Sequence, residues 1–295
     1  MKKDSIKVNL VGGLGNQLFI WAAATAISKR TDLSLILDAS RCTQWGFQLE
    51  DFGIEAKLLP LLPPDGLLPT RVIKQDSKVI NSLRFLRQKI RNYGIGSNFW
   101  ERNNSFDSRV FNIRPGQTLC GYFQSYKYFD FCKEEIKDHL LKNFIATKEL
   151  ELLENQFSKN AWVAIDYRRG DYEEFSKTLG LLSENYFIEA LAFLSNEFPS
   201  LKKIVFSDDV SKAKLTFPNC DGYIGVEQLS SPAARLILMS KADAIIGSNS
   251  TFGWWAAYLS DAQDRFKIFP EPWFRNSKIN PKDLVPLTWM RIKNN

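Results

Sequence analysis

Two adjacent arginines, Arg168 and Arg169, follow an apolar run, residues 162–167, that is typical of a β-strand. They stand in the segment Asp-Tyr-Arg-Arg-Gly-Asp-Tyr, residues 166–172. Arginine presents a planar, charged fork that binds phosphate through paired hydrogen bonds. Ligands of parallel α/β sheets bind beyond the carboxyl ends of the strands. The segment therefore predicts a site for a phosphorylated ligand, and the alternative is a surface ion pair among these charges.

A glycine-rich segment, Gly-Gly-Leu-Gly-Asn-Gln at residues 12–17, separates a strand-like run from an alanine-rich run of helical character. Glycine allows a backbone to approach a ligand closely, and the start of a helix offers free N–H groups. Gly13 and Gly15 match the beginning of a dinucleotide-binding fingerprint, but Leu18 occupies its third glycine position. A ligand-binding loop and a tight structural turn are both compatible with this segment.

Two acidic residues, Asp208 and Asp209, follow another strand-like run, residues 203–206. Paired acids can hold a divalent metal against a diphosphate, or they can accept hydrogen bonds from a base or a sugar. Ser207 or Asp208 can also serve as the N-cap of a helix, which is the structural interpretation. Three interpretations therefore stay open for this pair at the level of the residues alone.

A run of hydroxyl and amide side chains follows the strand-like residues 244–246 and begins a helix. Its members, with the phenylalanine that comes next, are Ser248, Asn249, Ser250, Thr251 and Phe252. Such a run at a helix N-terminus can hold a diphosphate without a formal charge, and one member can serve as the N-cap. The following Trp254 and Trp255 are expected to pack within the helix rather than to form a sugar-binding surface.

Apolar segments between these clusters alternate between strand and helix spacing. The expected strands are residues 6–11, 33–37, 119–122, 162–167, 203–206, 244–246 and 267–269, and the expected helices are 16–29, 128–143, 187–198, 232–239 and 251–259. This alternation of strands and helices predicts an α/β fold whose parallel sheets are covered on both faces. The polar segment 142–160 lacks a clear strand pattern and predicts a boundary between a domain of residues 1–150 and a domain of residues 151–295.

Composition narrows the function classes. The 295 residues are 44% hydrophobic, and the net charge of +6 suits an anionic ligand or membrane surface without implying nucleic acid. Four cysteines without a CxxC pair, and a lone histidine, His139, argue against a zinc site or a disulfide framework. No targeting segment or membrane span is expected. A basic face along the helical stripe 78–91 is either solvated or in contact with an anionic membrane.

Taken together and in this order, the clusters resemble the α-1,2-fucosyltransferases, a family of inverting, GDP-fucose-dependent enzymes. The matching segments are residues 12–19, 121–129, 167–172, 206–209, 238–240 and 249–255. The resemblance implies a GT-B-like fold of two Rossmann-like domains that face a central cleft. It places the acceptor side in residues 1–150 and the GDP-sugar site mainly in residues 151–295. It also implies catalysis without a metal or other cofactor, which assigns Asp208 and Asp209 to recognition of the base.

The resemblance also implies roles for individual residues. Arg168 is expected to be catalytic, by neutralising the departing diphosphate, and Asn16 to lie near the acceptor hydroxyl or the departing oxygen. The general base cannot be read from the motifs, and Asp171 is the first carboxylate to consider, although it could instead orient Arg168 or Arg169. The residues expected to bind the donor are Gly13, Gly15, Asp166, Arg168, Asp208, Asp209, Ser248, Asn249, Ser250, Thr251 and Phe252.

One position departs from the family pattern, because Asp166 stands where the family has histidine. An aspartate can accept hydrogen bonds from guanine N–H groups, so nucleotide binding is compatible with it. The expected function is transfer of L-fucose from GDP-β-L-fucose to a glycan acceptor, the 2-hydroxyl of a terminal β-galactoside as in O-antigen synthesis. The expected setting is a bacterial cytoplasm, with peripheral contact to the inner membrane. The alternatives are another linkage or acceptor, or a glycan- or nucleotide-binding protein that has lost catalysis.

Overall fold

The structure is a computed structural model that describes residues 4–59, 98–102, 105–169, 180–276 and 282–294. The basic stripe expected at residues 78–91 and the proposed base Asp171 lie outside these residues. The described chain forms two parallel β-sheets with helices, one sheet from each half of the sequence.

The first sheet has the strand order β2-β1-β4-β3, and its strands all pair in parallel. The strands are β1 Ser5–Asn9, β2 Ser34–Asp38, β3 Asn98–Trp100 and β4 Thr118–Cys120, and helix α1, Leu14–Thr31, joins β1 to β2. β2 lies on one side of β1 and β4 on the other, so the direction of winding reverses between β1 and β4. Crevices for ligands open at such reversals, beyond the carboxyl ends of the strands.

The second sheet has the order β10-β9-β8-β5-β6-β7, and it is also parallel throughout. Its strands are β5 Trp162–Tyr167, β6 Lys202–Ser207, β7 Gly222–Ile224, β8 Ala244–Ile246, β9 Lys267–Glu271 and β10 Met290–Lys293. The helices after α1 are α2 Lys133–Lys142, α3 Lys148–Phe157, α4 Glu184–Glu197, α5 Val210–Thr216, α6 Pro232–Ser240 and α7 Thr251–Leu259. This is the Rossmann strand order, and its reversal lies between β5 and β8.

The predicted α/β class with two Rossmann-like sheets in a GT-B-like arrangement is therefore confirmed. The boundary between the expected domains 1–150 and 151–295 falls within α3, which runs from Lys148 to Phe157. A division of the chain at that point stays a prediction.

Helices α1 and α7 join the two halves through one continuous core. Phe19 of α1 lies 4.4 Å from Trp254 and 5.3 Å from Trp255, measured between ring centroids. Both tryptophans are fully buried, and Phe129 stacks on Trp255 at 5.6 Å. The expectation that Trp254 and Trp255 pack within the helix is confirmed, and aromatic pairs of this kind strengthen a core beyond their buried area.

Gly15, in the first turn of α1, is the point of closest approach between the two helices. A Cβ built on Gly15 would lie 2.5 Å from the carbonyl carbon of Thr251 and 2.7 Å from the amide nitrogen of Phe252. Backbone atoms cannot give way as a side chain can. A glycine is therefore required at this position by packing between the halves.

Glu101, directly after β3, holds the loop that follows β4. Its Oε2 accepts the backbone N–H groups of Tyr122 and Phe123 at 3.1 and 2.8 Å, and its Oε1 accepts the hydroxyl of Tyr128 at 2.9 Å. Phe123 adopts a positive φ of 50°, a strained conformation for a residue with a bulky side chain, so the loop depends on such anchoring. Burial raises the pKa of Glu101 to about 7, against the opposing effect of these hydrogen bonds.

The remaining expectations concern cysteines, histidine and membrane spans. Cys42, Cys120, Cys132 and Cys220 are all free thiols, and no disulfide forms among them. His139 packs beside Trp21, with 5.1 Å between their ring centroids, as expected for a packed histidine. Across the residues that the structure describes, no helix has the length and apolar character that a bilayer crossing requires.

Replacing Gly15 by alanine should separate the starts of α1 and α7, because the new methyl group would overlap the Thr251 backbone. We expect the free energy of unfolding to fall by about 1–3 kcal/mol, as for other overpacked sites, in urea denaturation. Gly13→Ala is the matched control, because the nearest atoms to its Cβ lie at 4.0 Å. Equal losses in the two variants would contradict the packing argument.

Replacing Glu101 by glutamine should change how stability depends on pH. The folded-state pKa of Glu101 is raised from 4.5 to about 7, so ionisation is disfavoured in the folded state. The wild-type free energy of unfolding should therefore contain a component that falls between about pH 4.5 and pH 7, and Glu101→Gln should lack it.

Glutamine can retain the contacts of the protonated acid, with its oxygen accepting the two backbone N–H groups and its amide donating to Tyr128. Alanine cannot, and Glu101→Ala should lose about 1–3 kcal/mol across the pH range because backbone donors lose their acceptor. Urea denaturation at a series of pH values measures both effects. A Glu101→Gln profile parallel to that of the wild type would show that Glu101 does not titrate in this way.

Candidate active site

Each sheet has one point at which the direction of winding reverses, and the two points lie on either side of the interface between the halves. In the first sheet, the segments after β1 and β4 flank the reversal; in the second sheet, the segments after β5 and β8 do so. Each motif singled out in the sequence follows one of these four strands, except the acidic pair after β6 and residues 238–240, which lie in α6. The fold therefore brings the separate motifs together because carboxyl ends of parallel strands lie at one edge of a sheet.

Arg168 follows β5 directly, and its side chain is about a quarter exposed. Its Nε lies 3.5 Å from Oδ2 of Asp208, and its guanidinium carbon lies 6.0 Å from the ring centroid of Phe252 in the first turn of α7. Oδ1 of Asp208 accepts the backbone N–H of Arg169 at 3.0 Å. Asp208 thus orients the arginine toward the start of α7.

The two adjacent arginines have different environments. The Arg169 guanidinium donates through Nε to the Tyr167 hydroxyl at 2.9 Å and through an Nη to the Leu182 carbonyl at 2.8 Å. It therefore links the end of β5 to Leu182, ahead of α4. Both arginines are half-buried, and they differ in what they face, since Arg168 faces Asp208 and Phe252 at the start of α7.

The start of α7 presents backbone N–H groups toward the same region. Ser250 is the N-cap, and its hydroxyl accepts the amide of Phe252 at 3.2 Å. Thr251 and Phe252 are half-buried, whereas Ser250 is 5% exposed. The first N–H groups of a helix and its dipole favour an anion at this end.

Asn16 links the two halves through its side chain. Its Oδ1 accepts Nε2 of Gln124, from the loop after β4, at 2.9 Å, and the hydroxyl of Thr251 at 3.2 Å. The amide group of Asn16 is thereby held between the N-terminal reversal and the start of α7. This placement is what the sequence-based role of Asn16 at the reacting groups requires, and that role stays a prediction.

Gln17, which is fully buried, holds the glycine-rich loop through hydrogen bonds of its side chain. Nε2 of Gln17 donates to the carbonyl groups of Gly12 and Gly46, each at 2.8 Å, and Oε1 accepts the backbone N–H of Gln48 at 3.0 Å. The loop after β2 is therefore bound to the loop after β1. Gly15 contacts α7, so its glycine requirement comes from protein packing, while Gly13 lies at the half-buried start of α1.

Asp166 is 1% exposed, and it lies under the start of α7 rather than at the surface. Its Oδ2 accepts the Ser248 hydroxyl at 2.7 Å, and a Cβ on Gly253 would lie only 2.4 Å from that oxygen. Burial raises the pKa of Asp166 to about 6, whereas the charge of Arg168 and the bond from Ser248 oppose the shift. Asp166 therefore affects the site indirectly, through its hydrogen bond with Ser248 and its charge interaction with Arg168.

Two further predicted donor-binding side chains are engaged with the protein. Asp209 is the N-cap of α5, and its Oδ1 accepts the amide of Lys212 at 2.9 Å. Nδ2 of Asn249, which is 4% exposed, donates to the carbonyls of Gly180 and Trp273 at 3.1 and 3.2 Å. These contacts fix the loops around the site, and direct contact of either side chain with a donor stays a prediction.

Sequence reasoning missed Arg235, and it included Gln124 only as a member of the matching segment 121–129. Burial, and then the positive charge of Arg168, lower the pKa of Arg235 to about 10. Arg235 also donates to the Ser230 carbonyl at 2.9 Å. An arginine in a helix carries no sequence signal of its own, since only the fold places it where the charge of Arg168 acts on it.

The arrangement suits the binding of an anion between the halves. It offers a partly exposed guanidinium, a second one nearby and the amides of a helix start, with hydroxyl and amide groups on the facing side. Among the described residues, no group of three or more His, Cys, Asp or Glu side chains could hold a metal ion. Such a site can stabilise negative charge that develops on a phosphate leaving group.

Comparison with known proteins identifies relatives along nearly the whole chain. An Escherichia coli α-1,2-colitosyltransferase is 28% identical over 304 residues, which cover 98% of this chain and 99% of that protein. An E. coli O-antigen biosynthesis glycosyltransferase, WbnK, is 30% identical over 314 residues, which cover 96% and 99%. A Caenorhabditis elegans galactoside 2-α-L-fucosyltransferase is 25% identical over 297 residues, which cover 95% of this chain and 77% of that protein.

The model of glycosyl transferase family 11 matches residues 5–293, from β1 to the end of β10. This range includes each of the motifs that resemble the α-1,2-fucosyltransferases. The chain therefore belongs to glycosyl transferase family 11, the fucosyltransferase family to which its motifs point.

Proposed function

We propose that this glycosyltransferase moves L-fucose from GDP-β-L-fucose, with inversion and without a metal, to the 2-hydroxyl of a terminal β-galactoside. The observation that carries the proposal is the convergence of Arg168 and the start of α7 at the reversal between β5 and β8. The relatives named for α-1,2-colitosyl and galactoside 2-α-L-fucosyl transfer support the linkage. The relative named for O-antigen biosynthesis supports a bacterial glycan as acceptor and a cytoplasmic setting.

The reaction is a single displacement at C1 of the fucose. The acceptor oxygen forms a bond to C1 while the bond from C1 to the diphosphate oxygen breaks, and its electron pair stays on GDP. Arg168 compensates the charge that develops on this oxygen, together with the N–H groups at the start of α7. Preorganised donors of this kind contribute more at the transition state than in water, because they need no reorganisation as charge develops.

The acceptor side is formed by the first half of the chain. Asn16 stands opposite the start of α7, within hydrogen-bond distance of Thr251. In our proposal its amide group positions the acceptor hydroxyl or the departing oxygen. The acceptor proton passes to a general base, for which the carboxylate of Asp171 remains the first candidate, although that residue lies outside the described part of the chain.

A second candidate donor carries colitose in place of fucose. The E. coli relative named as an α-1,2-colitosyltransferase, which aligns over 98% of this chain, favours it. The same leaving group and the same role of Arg168 would serve either donor, since the two candidates differ in the sugar. The donor experiment below therefore distinguishes them.

Replacing Arg168 by alanine should lower kcat for sugar transfer by on the order of a hundredfold or more, the usual loss when a positioned donor to a developing oxyanion is removed. GDP release measured at saturating donor and acceptor gives kcat. Arg169→Ala is the matched control, because its guanidinium is bound to Tyr167 and Leu182. We expect that variant to melt at lower temperature and to keep most of its rate. A folded Arg168→Ala enzyme with near-normal kcat would exclude the proposed role.

A panel of GDP-, UDP- and ADP-linked sugars tests the donor, with each reaction run with and without EDTA. We expect turnover only with GDP-fucose, or with GDP-colitose for the second candidate, and no effect of EDTA. The guanine requirement and the insensitivity to chelation test separate parts of the proposal. An absolute need for a divalent metal would disprove metal-independent catalysis, whereas turnover with UDP-sugars alone would disprove the donor assignment.

A further inference from the structure

Trp45 is an exposed aromatic side chain beside the N-terminal reversal. It lies in the loop after β2, and 40% of its surface is exposed, whereas Trp254 and Trp255 are fully buried. A single exposed apolar side chain is ordinary on a protein surface. What distinguishes Trp45 is its location, next to the glycine-rich loop that leads to Asn16.

The Trp45 ring lies beside Gly13, at the start of α1. A Cβ built on Gly13 would lie 4.0 Å from Cδ2 of Trp45. Cδ2 is a ring-fusion carbon whose three bonded neighbours all lie in the ring plane, so an atom that meets Cδ2 first must approach from a face. One face of the ring is therefore directed toward the glycine-rich loop, and 40% of the Trp45 surface remains exposed.

The loop that carries Trp45 is held in place on both sides of the ring. Before it, the Cys42 thiol donates to the Leu10 carbonyl at 3.4 Å. After it, the carbonyl of Gly46 and the N–H of Gln48 are both bound to the buried side chain of Gln17. A loop fixed in this way loses little conformational freedom when a ligand covers the side chain that it carries, which favours binding.

An amide side chain, that of Gln48, lies close to Trp45. Oε1 of Gln48 lies 4.0 Å from the same Cβ position on Gly13. Gly13 is the N-cap of α1 and Asn16 lies one turn further, a separation of about 5–6 Å between such positions. An aromatic face flanked by amide groups suits a pyranose ring, which has an apolar C–H face and hydroxyl groups around its rim. The cationic side chains suited to a diphosphate, Arg168 and Arg235, lie in the other half.

We propose that Trp45 is the stacking surface for a pyranose ring of the acceptor glycan, one sugar-binding position beside Asn16. This inference rests on the proposed function, because it assigns the N-terminal reversal to the acceptor. Stacking on Trp45 orients the terminal sugar so that its hydroxyl group faces Asn16 and the donor. Trp45 therefore determines acceptor affinity, while Arg168 acts on the leaving group.

Trp45→Ala tests the inference in the full-length enzyme, with N-acetyllactosamine and lactose as acceptors and GDP-fucose as donor. We expect the KM for the acceptor to rise about tenfold, with kcat and the KM for GDP-fucose close to wild type. Trp45→Phe should give an intermediate acceptor KM, because a smaller aromatic face remains. An acceptor KM that is unchanged in folded Trp45→Ala would overturn the proposal, as would a rise confined to the KM for GDP-fucose, which would assign the ring to the nucleotide.

Phe131→Ala is the matched control for loss of an exposed aromatic group. Phe131 is 52% exposed and lies 5.8 Å from the guanidinium of Arg30, in the last turn of α1. Leu14 and Arg30 are sixteen positions apart in α1, which corresponds to about 24 Å along the helix. We expect all kinetic constants of this variant to match the wild type.

A binding measurement separates failure of this inference from failure of the proposed function. Absence of transfer by the wild type with every donor would reject the function and leave acceptor binding measurable. Saturation-transfer NMR with N-acetyllactosamine and lactose should then show contact with the wild type and with Phe131→Ala, and its loss in Trp45→Ala. Equal signals from wild type and Trp45→Ala, or no signal from the wild type, would overturn the role of Trp45.

Discussion

The close approach of two helix starts, at Gly15 and Thr251, is the contact on which the site depends. Each helix follows a strand at a winding reversal, so bringing the starts together brings the two ligand crevices together. A backbone-to-backbone contact of this kind permits no intervening side chain. The hydrogen bond from Thr251 to Asn16 then fixes the relative position of groups that belong to different sheets. Behind the contact, the aromatic core around Phe19 and Trp254 makes the arrangement rigid.

The residues around this contact divide into those whose side chains hold the backbone and those that stay partly exposed. Gln17, Glu101 and Asn249 use their side chains to bind main-chain groups. Arg168 and Trp45 keep part of their surface accessible. The first group is polar and mostly buried, which is costly unless every donor and acceptor is satisfied. Their hydrogen bonds fix the loops around the site, so these buried polar groups serve to shape it.

Regular apolar strands and capped helices could be read from the sequence with good accuracy. The strand at 162–167 and the helix at 251–259 were predicted at their observed bounds, because apolar runs there are flanked by polar or glycine residues. The strands β3, β7 and β10 were missed, since their three or four residues include a polar residue or glycine and lack the all-apolar run of β8. Glu101, Arg235 and Trp45 could not be predicted for a different reason. Their importance comes from neighbours distant in sequence, which no local pattern encodes.

Asp166 stands where the motif resemblance leads one to expect histidine, and the surrounding structure accommodates its carboxylate. The side chain is covered by α7, and the absence of a Cβ on Gly253 leaves room for its carboxylate. Burial raises its pKa to about 6, and the positive charge of Arg168 opposes this shift. Asp208 places a second carboxylate beside the guanidinium, 3.5 Å from its Nε. Arg168 therefore stands between two acidic side chains, so binding of an anion here depends on the direction of the guanidinium and helix N–H groups as well as on charge.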